Sequence, residues 1–412
     1  ALSRFNTVMP DGTAHVAGYF TDVFSGAKDA RTTSFFVQSS KVWQQYSQFE
    51  LTSLNNYFTS NNANGQAALP KDAGQLILSA NTAMTLGAKI KGQAVAGGLG
   101  ADINITAPKL QIADSDIPAL AGYLKVDSKQ LNDLGASRLV LGGISHGGKD
   151  ADILQATATD VVIDAPRVGV HAPEIIAMAR SYLPVPVNED APEPELQIGS
   201  VTVKSNTVLQ ATGGQDRVRT QAIQIGLLSD FDDNGNEFEG ITGDGALLRL
   251  SSGKAVAIQR INVSGIDGDS NGDTPTGVLR IDNNVKLLAD GAVTLDTVGN
   301  MVVAPTVQIK AKSFDANSAD ITFTNNLSTI DIPDGLVAGQ SLLAQLAAID
   351  DVALRSRGMI RFVGDLDLQV GKKLTLSSGS IRSDGGEVTI RTDQLILANE
   401  LETSGDASLR GT

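Results

Sequence analysis

The chain has 412 residues, 32 Lys and Arg against 46 Asp and Glu, a formal net charge of −14 and no Cys. Without Cys there is no disulfide framework, thiolate-bound zinc, iron–sulfur cluster or thiol nucleophile. The acidic balance argues against nucleic acid as a partner, because phosphate is held by a basic patch. No apolar run approaches the 18 residues a membrane-spanning helix needs. No basic-then-apolar leader opens the chain at Ala1, which reads as a processed protein or an internal piece of a longer one.

Aromatic residues divide the chain. Eleven of the 18 lie between Phe5 and Phe58, so residues 1–72 are read as a separate aromatic-rich segment. Within it, Lys41 to Phe58 places Val42, Tyr46 and Phe49, and also Trp43, Glu50, Leu54 and Tyr57, at helical spacings, which predicts a helix over 41–58 packed on the end or flank of the body. The body, 73–412, has a core of Val, Ile, Leu and Ala, and that composition points to a narrow, regular interior.

From Leu76 onward the body repeats short apolar–x–apolar triplets: Leu76-Ile77-Leu78, Ile103-Asn104-Ile105, Val293-Thr294-Leu295, Val307-Gln308-Ile309, Leu374-Thr375-Leu376 and Val388-Thr389-Ile390. Period-2 alternation this brief predicts short strands with one buried face. A glycine commonly precedes the triplet (Gly74, Gly100, Gly245, Gly277, Gly291, Gly371, Gly386) and is read as the corner residue that adopts positive φ. Leu183 to Glu195, with four prolines and four acids, predicts an extended exposed loop near 184–195. Acidic excursions follow near 230–240 and 265–275, and Leu336 to Ile349 predicts a helix over 336–349. Toward the C-terminus Leu366, Leu374 and Ile381 are echoed by Val388, Leu395 and Leu401 at offsets of 22, 21 and 20 residues. The fold class expected is all-β: a right-handed parallel β-helix of about 20–22 residues per coil, roughly 16 coils in all, with a partly helical N-terminal segment.

Four motifs bear on chemistry. Gly143-Ile-Ser-His-Gly-Gly-Lys149-Asp150 approaches a phosphate-binding loop, but Asp150 stands where a Mg²⁺-binding hydroxyl is needed, so a nucleotide site is rejected for a glycine-rich corner. His15, His146 and His171 have no second ligand at fixed spacing and are read as surface or loop residues. Asp230, Asp232, Asn234 and Asn236, and again Asp267, Asp269, Asn271 and Asp273, spell D-x-D-x-N-G, the alternating oxygen donors and turn glycine of a calcium loop. Neither loop carries the bidentate Glu at its twelfth position, which holds Ile241 and Val278, so each is a partial calcium loop or a solvated turn. Asp365, Asp367, Asp384 and Arg391 are the carboxylates and arginine a carbohydrate-active site would draw on, with solvent-facing surface charge as the simpler reading. No catalytic residue is assigned, and the chain is read as not an enzyme.

The stretch Leu69-Pro-Lys-Asp72-Ala-Gly74-Gln-Leu76-Ile-Leu78, running on to Gly97-Gly-Leu-Gly100-Ala-Asp-Ile103, resembles the filamentous-haemagglutinin-type exoproteins of Gram-negative bacteria. So do Leu134-Gly-Ala-Ser-Arg-Leu-Val-Leu141, Ala172-Pro-Glu-Ile-Ile176 and Thr242-Gly-Asp-Gly245-Ala-Leu-Leu-Arg-Leu250. The resemblance covers most of the chain from Leu69. It implies two-partner secretion through an outer-membrane transporter and folding outside the cell as a β-helical rod. It also implies service as an adhesin, biofilm component or surface filament. The Asn-Pro-Asn motifs of the family's secretion domain are missing, so the chain looks like a middle piece. The expected partners are the transporter during export, a host-cell, glycan or sister-cell surface, and further copies end to end. A carbohydrate-active β-helix enzyme and a self-assembling filament subunit are the alternatives.

Overall fold

The computed structural model describes residues 7–22, 27–46, 71–87, 90–147, 151–184, 195–214, 222–227, 241–263, 276–325 and 335–401, and the backbone alone at 230–231 and 237–238. The chain divides into Ala1–Pro70 and Lys71–Thr412. In the first unit Thr7–Val8, Ala14–Gly18 and Thr33–Val37 form an antiparallel sheet. His15 stacks on Phe36 at 4.6 Å, across a directly opposed pair. A helix does start where the spacing placed it, at Ser40, and is described to Tyr46; residues 47–58 of the expected helix lie outside the described residues. Val42 is its one buried side chain.

The second unit is mostly β, with several parallel sheets. Two ten-stranded sheets run through it, one from Gln75–Ser79 to Gln394–Ala398 and the other from Leu124–Asp127 to Ser380–Asp384. A four-stranded sheet joins Val170–His171, Val208–Ala211, Lys286–Ala289 and Gln308–Lys310. The chain visits these sheets in turn, so neighbours within a sheet are distant in sequence and mostly parallel: Leu279 pairs with Met301, Leu287 with Ile309, Val293 with Phe314. The apolar member of each pair points inward. Ile103, Ile105, Leu139, Ile175, Leu248, Val293, Leu295, Leu374 and their neighbours form one continuous core. Among the described residues its aromatics are Phe314, Phe323 and Phe362, and the last two stack at 4.8 Å because they are register partners.

Ten strands per long sheet, not sixteen, span about 43 Å at ~4.8 Å per strand. Excursions consume the difference. Gly143–Gly147 and Asp152–Ala156 leave as an antiparallel hairpin, joined by Ala222–Ile225 and Ala257–Arg260, to build a four-stranded outer sheet. That sheet covers the outward face of the first long sheet and encloses a second core of Val140, Leu154, Ala156, Ile176, Met178, Ile223, Ile225 and Leu247. The return from the excursion inverts one strand. Gly245–Ser251 lies antiparallel to both its neighbours, Glu174–Arg180 and Ala292–Thr297, inside an otherwise parallel sheet.

The stretch 336–349 is not one helix. Leu336–Ala338 is a strand slotted between Asn300–Val303 and Ile321–Thr324, and the helix is Gln340–Leu346. Gln345 of that helix donates through Nε2 to Val307 O (2.9 Å) and accepts from Ile309 N (2.7 Å), taking the place of a next strand on the open edge of Gln308–Lys310.

The corner glycines serve two different purposes. Gly74, Gly245 and Gly386 do have positive φ, of 90°, 131° and 85°, but Gly100, Gly277, Gly291 and Gly371 do not. Gly291 is needed for close approach: a Cβ there would stand 1.8 Å from the carbonyl oxygen of Gly253. At another corner, Asn206 and Asn284 occupy the left-handed region with φ of 65° and 60°, and Asn284 Nδ2 donates to Asn206 Oδ1 at 3.3 Å.

Candidate functional site

The outward face of the first long sheet carries most of the buried charge in the unit. Asp102, Arg138 and Glu174 are register partners on three successive strands, each followed by an inward aliphatic residue. Arg138 is 2% exposed. Its Nη1 donates to Asp152 Oδ2 at 2.7 Å and lies 3.7 Å from Asp102 Oδ2, and its Nε faces Glu174 Oε2 at 3.3 Å without hydrogen-bond geometry. Glu174 is shared: Arg249, from the inverted strand, reaches its Oε1 at 2.6 Å. Burial works against the Arg138 charge, but Glu174, Asp102 and Asp152 outweigh it and hold the guanidinium above its ordinary value. Ser145 Oγ donates to Asp102 Oδ2 at 2.7 Å, and Ser145 N donates to Asn104 Oδ1 at 2.8 Å. Through Arg138–Asp152 and Ser145–Asp102 this network holds the outer sheet against the long sheet.

Where the outer sheet ends, at Ala257–Arg260, the same face becomes the floor of a groove of about 790 Å³. The floor crosses four strands through the register column Asp315, Ala353, Thr375 and Ile396. Ser252 to Ala257 form one wall, and Lys312 and Glu400 also line it. Asp315 is 8% exposed. Burial pushes its carboxyl up to about 6, against the pull of Arg355, Arg249 and Lys373 and with a push from Glu400. Arg355 donates to Glu400 at 2.5 Å and stands 3.9 Å from Asp315. An acid that keeps its proton near pH 6 beside a guanidinium is a combination suited to polar, charged ligands.

The residues named from the sequence are placed elsewhere. Asp365 accepts from Glu387 N at 2.8 Å, which ties together two turns. Asp367 pairs with Arg391 at the surface. Asp384 accepts from both Arg361 and Arg382, and these two guanidiniums outweigh its partial burial and lower its pKa. They form pairs between neighbouring strands and do not converge on a groove. Gly143–Gly147 is a strand, and the next element is another strand, so no helix follows the phosphate-loop-like run. His146 and His171 are exposed and His15 is half-buried.

Of the two acidic loops, Asp230 lies in a two-residue strand paired antiparallel with Glu237–Phe238. Asp232, Asn234, Asn236, Asp267, Asp269, Asn271 and Asp273 lie outside the described residues. The proline-rich loop is closed at its base by the antiparallel bridge Tyr182–Gln197, and residues 185–194 lie outside the described residues. Among the described residues no group of three or more His, Asp or Glu is placed to hold a metal ion.

One signal of the charged network stands in the sequence. Asp102, Arg138 and Glu174 recur at an even 36-residue spacing ahead of matching aliphatic runs, Ile-Asn-Ile, Leu-Val-Leu and Ile-Ile-Ala. That spacing predicts a ladder of alternating charge. The groove left no such trace, because an excursion separates Asp315 from its neighbour Ala353.

No family model, no curated protein and no solved structure matches this chain. The fold defines its class: a mostly-β protein with several parallel sheets and few helices.

Proposed function

We propose that residues 71–412 wind as a right-handed parallel β-helix, and that the chain is a segment of a secreted, cell-surface structural exoprotein. Its role is to extend, display and adhere. One observation carries the reading: over 278–318 three different sheets advance in step, Leu279 to Met301, Leu287 to Ile309 and Val293 to Phe314, by 22, 22 and 21 residues. A common pitch on three faces is what a solenoid coil produces. The chain has no Cys, which makes the pitch testable by introduced pairs. Arg280→Cys with Val302→Cys, and Lys286→Cys with Gln308→Cys, join exposed register partners on two faces. Neighbouring strands are ~4.8 Å apart, within the ~4.4–6.8 Å Cα separation of a disulfide. Both pairs should oxidise within one chain, and free thiols remaining in either pair would refute the common pitch.

The adhesive role has its own test. Latex beads coated with the chain should adhere to epithelial or bacterial cells above albumin-coated beads, and equal adhesion would remove that role. The carbohydrate-active alternative keeps one observation in its favour, the buried acid Asp315 beside Arg355. Release of new reducing ends from an acidic polysaccharide would establish it over the scaffold reading.

A further inference from the structure

We propose that the groove beyond the outer sheet binds a short acidic oligosaccharide, laid along the stacking direction of the strands. The first argument is charge. Asp350 pairs with Lys372, Asp351 with Lys373, and Glu400 with Arg355, while Lys254 and Lys312 meet no carboxylate among the described residues. Of the eight charged residues in the lining, Lys254, Lys312, Arg355 and Lys373 balance Asp315, Asp350, Asp351 and Glu400, so in a chain of net charge −14 the two lysines that meet no carboxylate are the cations open to an anionic ligand.

The second argument is the chemistry of the floor. Under the outer sheet the same face is closed over, with Val140, Ile176, Met178 and Leu247 packed against that sheet and Arg138 ion-paired to its Asp152. In the groove it carries Asp315, Ala353, Thr375 and Ile396, polar and apolar in turn. A peptide strand added to the edge of Ala257–Arg260 would cover Asp315 and Thr375 along with Ala353 and Ile396, so its apolar gain is set against the burial of a carboxyl and a hydroxyl. No aromatic ring lines the groove, so a neutral sugar has no stacking platform. A hydroxylated anionic chain fits what remains. The floor crosses four strands, about 14 Å from first to last at ~4.8 Å each, and Ser252 Oγ in the wall is buried without a hydrogen-bond partner among the described residues.

The inference depends on the β-helix reading only for the ligand's direction, and the thiol pairs above test that reading separately. The probe is tri-galacturonate, titrated calorimetrically against the full chain at low salt, with maltotriose and a glutamate tripeptide as controls. Tri-galacturonate should bind, weaken as salt rises, and lose at least about tenfold in affinity when Lys254→Glu and Lys312→Glu are combined. Lys254→Arg with Lys312→Arg should retain binding. If the charge-reversed chain does not fold, Lys254→Gln with Lys312→Gln carries the same expectation. Absent binding to the unmodified chain, unchanged affinity in the lysine variant, or equal affinity for the glutamate tripeptide would each overturn the proposal.

Discussion

Arg138→Ala should destabilise the 71–412 unit by about 3–5 kcal/mol, the largest single-residue effect expected in this protein. The guanidinium is buried among Asp102, Asp152 and Glu174, and these carboxylates were taken out of water along with it. With the cation gone, Glu174 keeps Arg249 at 2.6 Å, but Asp152 and Asp102 lose the charge that compensates their burial. Arg138→Met fills most of the volume and should cost nearly as much, because the loss is electrostatic. Adding Asp152→Asn to Arg138→Met should return part of it, since removing one of the buried acids that faced the lost cation relieves part of the penalty the first substitution created. Urea titration followed by far-ultraviolet circular dichroism reads the strands directly; the lone Trp43 lies in the other unit and would not report on them. A midpoint for Arg138→Met equal to that of the unmodified chain would show that the network carries no net stability.

Asp315→Asn should act in the opposite direction, and its effect should depend on pH. Asp315 holds its proton to about 6 in the fold, against an ordinary value of 3.8. The folded state therefore binds more protons than the unfolded chain across that interval, and stability falls as pH rises through it. Below the ordinary value both states are protonated and the substitution should be nearly silent. Above pH 6 the folded protein carries a buried carboxylate at a cost of up to ~3 kcal/mol, which Asn removes. Arg355 keeps Glu400 as its partner when the charge at 315 is lost. The midpoint of Asp315→Asn should thus exceed that of the unmodified chain near neutral pH and converge with it in acid. A substitution equally stabilising at both ends, or destabilising near neutrality, would contradict the assignment of the shift to burial.

Several features were legible in the sequence because they depend on neighbours a few residues apart. The triplets alternate apolar and polar residues, and that alternation is a local steric property of extended chain. In the interior triplets the inward positions are buried, Ile103, Ile105, Val293, Leu295, Leu374 and Leu376 all within 1% of fully covered, while in the outermost triplets Leu76, Leu78, Val388 and Ile390 are half-buried. Two of the three repeat offsets, Leu366 to Val388 and Leu374 to Leu395, are register pairs. The break between the aromatic segment and the body also follows from composition, and the units divide at Pro70.

What the pattern misreads are the outward positions. Asn104 and Thr294, the middle residues of two triplets, fall on the side away from the core, yet each is buried, and so are Val140 and Ile176 on the same face. For Val140 and Ile176 the cause is the outer sheet, whose strands come from 152–156, 222–225 and 257–260. Nothing near Val140 in sequence announces that residue 223 will cover it. The same distance hid the inverted strand Gly245–Ser251, which alternates like its parallel neighbours because alternation is indifferent to direction. Sequence alone therefore determined the aliphatic composition of the interior and its short alternating strands, both set by backbone geometry and short-range burial. Tertiary structure decided which outward faces are covered, where the charges converge on Arg138, and where the covering stops and leaves a groove over Asp315. Those outcomes depend on which distant strand packs against which face, and the energy that selects it comes from contacts between residues far apart in the chain.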